Sequence, residues 1–415
     1  MKTITASFFT TVSFRQAVQA MSFFWPWRFK ELKTGNKNKL LAEKMSNLIQ
    51  TKYAATFYNA RGALYHGLKA LDIKKDDEII IQAFTCVSVP NAIMALGAKV
   101  VYADIEEQTL NLDPEKMELL ITEKTKAIIV QHTFGTPANL AKIGELAQKH
   151  GLFLIEDCAH SLGAKYRNRS VGSFGKFSVF SFGRDKVVSA VNGGVLCTND
   201  PELYKKLPQN LNLPSCWIIS QNLFYNKIGY VSRLTYDFLG LGKVIIFLSK
   251  KLKLIPEITS AEENNCTDLK ILNYAMPNCL AELALTELQH LNEANEHRRQ
   301  LADLYNETLS DGYEIIYPEE GEYDYHIFLR TALRVADREE LYWYCKKNKV
   351  ILGNWYDKVI APHKANLNKS GYQNGSCPVA EKMANEIVNL PNHLGIEIKQ
   401  AKRVIALLKK WHDQN

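Results

Sequence analysis

The sequence predicts an α/β protein built on a mainly parallel sheet between helices, followed by a smaller α/β unit. Three observations carry that reading. Between Ala54 and Gly151, short apolar runs alternate with segments of helical periodicity. Two further runs, Leu152 to Ile155 and Phe177 to Phe182, lead into polar residues, as buried parallel strands do when their C-terminal ends carry chemistry. Beyond about Asn306 the alternation restarts on a smaller scale. The chain thus divides into an N-terminal arm (1–36), a large unit (37–265) with an apolar insertion at about 201–265, a connecting helix (266–305) and a small C-terminal unit (306–415).

Composition sets the outer bounds. With 415 residues, 46% hydrophobic and 23% charged, the chain can bury a large core and a second one. A formal charge of +7 is mild for this length and suits anionic small molecules as well as an ordinary basic surface. There is no Lys/Arg block and no aromatic-basic interleaving, so nucleic acid is not an expected partner. Eight cysteines without a CxxC pair read as reduced thiols of a cytoplasmic protein. The stretch leading to Phe14 is broken by Thr10, Thr11 and Ser13 and followed by Arg15, which does not read as a signal peptide. No apolar run approaches the ~20 residues of a membrane span.

Taken in order, the arm carries Phe23, Phe24, Trp25 and Trp27 around Pro26, expected to pack on the chain or a partner subunit, with a membrane interface as the alternative. Leu40 to Ile49 is helical by its spacing. A strand from Ala54 to Tyr58 leads into a helix with Leu64, Leu68 and Leu71 on one face. A helix starting directly after a strand is a natural phosphate site, because its free N–H groups and dipole face the anion. Strands follow at Glu78 to Gln82 and Lys126 to Gln131. The helix Leu140 to His150 stops at Gly151. Residues 201–265 read as helices packed on the subunit, with a weak membrane-surface association as the alternative because basic residues gather between Lys243 and Lys253. In the last part, Tyr313 to Tyr317, His326 to Leu333 and Val350 to Leu352 read as strands. Asp337 with Glu340 reads as a capping box for a helix through Lys347, and two helix-like segments, from Cys377 and from Ile398, close the chain.

The chemistry gathers in GLFLIEDCAHSLGAKYRNRSVGSFGKFSVFSFGRDKVVSAVNGG. Asp157 ends one strand, Ser181 ends another, and Lys186 follows five residues on. These three types suit pyridoxal 5′-phosphate (PLP): a lysine condenses with its aldehyde, a carboxylate keeps its ring nitrogen protonated, and a hydroxyl holds its phosphate. The plain alternative is a solvated lysine and an aspartate that caps a loop.

IEDCAHSLGA, then GSFGKFSVFSFGRDK and NGG, resemble the DegT/DnrJ/StrS family of PLP-dependent sugar aminotransferases. The similarity continues at LNYAMPNCLAELALTELQHLNEANEHRRQLADLY and over Cys377 to Pro391. That resemblance implies PLP fold-type I and a homodimer with a shared active site. It implies Lys186 as the catalytic residue and Asp157 facing the pyridine nitrogen. It implies a keto sugar nucleotide as acceptor and glutamate as amino donor, for amino-sugar or polysaccharide biosynthesis. The family's phosphate-binding Gly-Thr pair is Ala60 and Arg61 here, which keeps the backbone donors and loses the threonine hydroxyl. Its stacking aromatic is Cys86, which leaves His160 to cover the ring. Asn273 matches the asparagine that reaches the partner's cofactor phosphate, and the nearby family arginine is Ala275. His326, Trp355 and Tyr356 fall where the small domain faces the active site and are substrate-pocket candidates. Two other readings stand beside this one: a non-catalytic PLP-binding regulatory protein, and a membrane-surface aminotransferase acting on a lipid-linked sugar.

Overall fold

Seven strands form the central sheet of the computed structural model, which describes residues 2–6, 9–257, 259–267, 270–319, 321 and 324–414. Across the sheet they run Tyr53–Phe57, Gly194–Thr198, Phe177–Ser181, Phe153–Asp157, Thr125–Gln131, Glu78–Gln82 and Lys99–Ala103. Only Gly194–Thr198 runs against its neighbours. The other six point the same way, so their C-terminal ends share one edge. Successive side chains enter opposite layers: Ile80 and Ile128 pack on one face, and Ile79, Ile81 and Ile129 on the other. Burial on both faces is what an uninterrupted Ile/Val run encodes.

Helices cover both faces. Helix Ala60–Ala70 begins at Asn59, whose side chain accepts the Gly62 N–H at 2.8 Å. It lies so close to the sheet that a Cβ on Gly67 would come within 2.5 Å of the Phe177 ring. Helix Leu140–Lys149 stops where Gly151 takes φ +65°, a left-handed value that glycine adopts without strain. In the arm, Phe23 is fully buried in the main core and Phe24 stacks on Phe224, while Trp25 and Trp27 stay exposed.

A second, antiparallel sheet of Glu314–Ile316, Thr331–Arg334 and Ile387–Leu390 carries its own core with helices Leu291–Leu309, Arg338–Lys347 and Ile398–His412. Several expectations are corrected here. His326 to Arg330 is irregular, and the strand starts only at Thr331. The segment Cys377 to Pro391 is helical only as Pro378–Glu386; Ile387–Leu390 is a strand, because pairing with Thr331–Arg334 outweighs helical spacing. Asp337 makes no side-chain cap bond, so the capping box is not formed.

The N-terminal tail is fastened to the small C-terminal unit. Ile4–Thr5 pairs in parallel with Val350–Ile351, and Ala6 N–H donates to Ile351 O at 2.9 Å. His393 holds this strand: its Nε2 meets Thr5 O at 2.9 Å, and its Nδ1 accepts Gly395 N–H at 3.1 Å. Both ring nitrogens are thus used in the neutral form. Burial, with Arg233, Arg298 and His297 nearby, lowers its pKa from 6.5 to about 4. A histidine held neutral contributes its full stabilisation above the unfolded value and loses it as pH falls. The protection factors of the Ile4 and Ala6 amides, which divide out the intrinsic slowing of exchange at lower pH, should therefore fall as pH drops from 6.5 to about 4. His393→Gln, which keeps one donor without the titration, should flatten that profile.

Candidate active site

A cavity of about 280 Å³ opens at the shared C-terminal edge of the parallel strands. It collects Asp157 and Gln131 from strand ends, Ser181 from the next strand, and Ala60 and Arg61 from the helix after Tyr53–Phe57. Lys186, His160, Cys86, Trp355 and Tyr356 complete much of its wall.

Asp157 sits where it does because the preceding residue is pinned. Glu156 is fully buried and takes four partners: the N–H groups of Gly172, Phe174 and Gly175 at 2.6, 2.7 and 2.7 Å, and His132 Nε2 at 3.3 Å. With side chains alternating along a strand, Glu156 locked into the loop side leaves Asp157 directed to the other. One Asp157 oxygen accepts Ala159 N–H at 3.0 Å. Among the described residues, no donor takes the second oxygen. Burial raises its pKa, while the Ala159 N–H and the charges of Lys186 and His132 act the other way.

Lys186 makes no hydrogen bond or ion pair among the described residues and touches the cavity. Burial lowers its pKa from 10.5 to about 8, opposed by Cys86 and Asp157. An unpartnered amine with a depressed pKa is a nucleophile at neutral pH.

His160 packs against both Phe134 and Tyr356, with centroids 5.9 and 6.0 Å away, and those two rings also meet each other at 5.7 Å. Phe134 N–H donates to its Nδ1 at 3.4 Å, which leaves the proton on Nε2. Burial keeps the ring neutral, its pKa well below the usual range. A flat neutral ring can lie against an aromatic face. Cys86 faces the cavity and donates to Ser88 Oγ at 3.3 Å, so it is a wall residue and not part of the core.

At the other end, the first N–H groups of helix Ala60–Ala70 have no intrahelical acceptor by geometry. The helix start lies against strand Gly194–Thr198: a Cβ on Gly194 would fall 2.3 Å from the Asn59 carbonyl carbon. That contact requires glycine. Ser181 Oγ accepts Gly183 N–H at 3.2 Å and borders the same space. The Arg61 guanidinium turns to the buried Glu263 and forms an ion pair. It does not stand in for a threonine hydroxyl. Asn273 lies outside the cavity, exposed, next to the backbone of Leu272 that passes over Gly62.

His326 is not brought to the cavity. Its ring packs near Phe328, 5.8 Å between centroids, because the chain there is irregular and Arg330 takes the inward position. Sequence reasoning missed Arg330, Arg184, Asn192, Gln131 and Thr259, all of which line the cavity. Gln131 ends a strand, as Asp157 does, and that signal could have found it. Arg184 is held by Glu257 O and lies over the Tyr225 ring at 5.0 Å. Arg330 is different. No described carboxylate pairs with it, its buried Nε has no hydrogen-bond partner, and it lies 6.0 Å over the Trp355 ring.

The model of the DegT/DnrJ/EryC1/StrS aminotransferase family matches residues 25–236 and 250–409. The chain belongs to this family. It is 29% identical over 388 residues to a pleiotropic regulatory protein of Geobacillus stearothermophilus, covering 91% of this chain and 90% of that one. It is 28% identical over 377 residues to the UDP-N-acetyl-3-dehydro-alpha-D-glucosamine 3-aminotransferase of Acidithiobacillus ferrooxidans, covering 91% and 89%. In fold it resembles NtdA of Bacillus subtilis, solved with bound PMP, at a TM-score of 0.74 and 21% identity over 97% of this chain and 83% of that one. PLP is the cofactor of the family, and the fold is that of PLP fold-type I enzymes.

The cavity fits that cofactor on its own evidence. A free amine, a carboxylate with one open oxygen, a stacking imidazole and a helix start with open donors surround one space. The pKa of Lys186 sets a test. In protein stripped of cofactor, reductive labelling of Lys186 by a small aldehyde should rise as pH passes upward through about 8, the value to which burial lowers it. Peptide mass spectrometry across that range reads the midpoint directly.

Proposed function

We propose that this chain is a PLP-dependent aminotransferase that moves an amino group from glutamate to a keto sugar nucleotide, working in the cytoplasm as a homodimer. The observation that carries the reading is the unpartnered Lys186 amine on the wall of the same cavity as Asp157, within reach of its charge. The name of the Acidithiobacillus relative supports a keto sugar nucleotide as the acceptor. Eight cysteines without a disulfide support a reducing compartment. Asn273, exposed beside the helix start, supports a shared site in which it serves the partner's phosphate.

PLP, when bound, supplies an electrophilic carbon and a protonated ring that withdraws electrons from the reacting carbon. Asp157 holds the proton at the ring nitrogen, an assignment its open oxygen supports. Ser181 and the Ala60 and Arg61 N–H groups bind the phosphate. His160 covers one ring face, and Cys86 borders the same space. The Lys186 amine would hold and pass the proton at the reacting carbon, and a pKa of about 8 suits that exchange near neutrality. Trp355 and Tyr356 wall the acceptor's side. Arg330 lines the cavity over the Trp355 ring and its charge acts on Lys186 and His160, which supports a place near the reacting carbon. A carboxylate one bond from the reacting carbon belongs there, and we assign Arg330 to the amino donor.

The name of the Geobacillus relative favours a second reading, a regulatory protein that binds cofactor without turnover. Product analysis with glutamate and a panel of keto sugar nucleotides separates the two: 2-oxoglutarate and an aminated sugar support the enzyme, and cofactor binding without either supports the regulator. Lys186→Ala should remove the visible absorption of lysine-bound cofactor and cut amino transfer about 10³-fold or more. Arg330→Ala should raise KM for the amino donor by about tenfold or more, the scale of a lost charge-assisted hydrogen bond. KM for the sugar nucleotide should change little, and an equal rise in both would assign Arg330 to the acceptor or to the fold.

A further inference from the structure

The family match breaks over residues 237–249, and that stretch builds the end of a helical hairpin. Helix Cys216–Leu234 belongs to the body: its Asn222 is fully buried and bonds Tyr58 Oη at 3.0 Å. Helix Leu241–Lys251 packs back on it through Gly242, where a Cβ would lie 2.2 Å from Ser232 O. The outer face of this second helix and the tip before it remain bare. Leu239 is 92% exposed, Phe238 66%, Phe247 64% and Leu252 62%. Of the 21 large apolar side chains exposed among the described residues, 15 lie in 14–29 and 217–252, in two segments whose helices pack together. Soluble surfaces rarely concentrate apolar area in this way without an occupant.

Charge identifies the occupant. From Phe238 to Pro256 the chain has four lysines, at 243, 250, 251 and 253, and no acidic residue. All four are exposed; by helical spacing Lys243 and Lys250 run along one side of the apolar stripe of Leu241, Val244, Phe247 and Leu248, and Lys251 and Lys253 sit at its C-terminal end. A second copy of the chain meeting this face about a two-fold axis would bring lysines onto lysines. An anionic lipid surface neutralises them and takes up the apolar stripe they border. The helix is too short to cross a bilayer, and no described helix is long and apolar enough to do so.

We propose that the hairpin tip and the outer face of helix Leu241–Lys251 dock this protein in the plane of a membrane surface rich in anionic lipid. The docking is independent of the amino-transfer reading, since it uses no residue of the cavity and its test reads no turnover. Full-length protein is floated with vesicles of phosphatidylcholine alone or mixed with phosphatidylglycerol. The expected result is flotation with the mixed vesicles, weaker with phosphatidylcholine alone, and reduced by added salt. Replacing Phe238, Leu239 and Phe247 together by Ser should lower partitioning by about tenfold or more. Replacing the four lysines by Gln should lower it by on the order of a hundredfold. Circular dichroism and thermal unfolding of both variants should match the parent, because every altered side chain is exposed. Absence of flotation with mixed vesicles, or flotation unchanged in either variant, overturns the proposal. A dimer that the Ser variant splits, in protein that does not float, would reassign the face to contact between copies.

Discussion

The site depends on one constraint: a carboxylate and an amine must both be withdrawn from water and yet not be joined to each other. Burial acts on them in opposite senses, raising Asp157 and lowering Lys186, and each opposes the shift in the other through its charge. Had they closed into a direct salt bridge, the amine would be tied up and its pKa restored. The sheet prevents this. Strands Phe153–Asp157 and Phe177–Ser181 are neighbours in parallel register, with Val179 opposite Asp157, and the chain runs past Ser181 before Lys186 turns back over the same edge. Glu156, held by four partners, stops Asp157 from turning toward the loop side. The separation is therefore a property of backbone pairing, and the cavity follows from it.

How much of this was legible follows from what kind of force sets each feature. Asp157, Ser181 and Lys186 could be read because strand ends on a parallel sheet are set by local apolar runs. The helix start at Ala60 could be read because a strand followed at once by a helix leaves open donors wherever it occurs. Arg330 could not. It lies where His326 to Arg330 is irregular, so no period tells which side chain faces inward, and the expectation fell on His326 instead. The strand Ile387–Leu390 was missed for a similar reason: a short apolar run after a helix is ambiguous until its partner, Thr331–Arg334, is known. The depth of Arg61 was hidden too, since its partner Glu263 is some 200 residues away along the chain.

That distant pair shows how the helical hairpin and the cavity are coupled. Where the family's pattern places a threonine, Arg61 reaches Glu263, in the short helix Ala261–Asn264 that follows the hairpin. Asn91 Nδ2 donates to Glu263 O at 2.9 Å, and Thr259, two residues before that helix, lines the cavity. On the outgoing side, Asn222 bonds Tyr58 Oη at 3.0 Å and accepts Asn192 Nδ2 at 2.7 Å. Tyr58 immediately precedes Asn59, the cap of the helix whose start faces the cavity. Both legs of the hairpin are thus fastened within a few residues of the start of helix Ala60–Ala70. A buried ion pair contributes little net stability but strongly resists having one partner removed. In that position it fixes where the returning leg lies. Where a threonine hydroxyl is absent, Arg61 and Glu263 form a clamp that seats the hairpin's returning leg against the wall of the cavity.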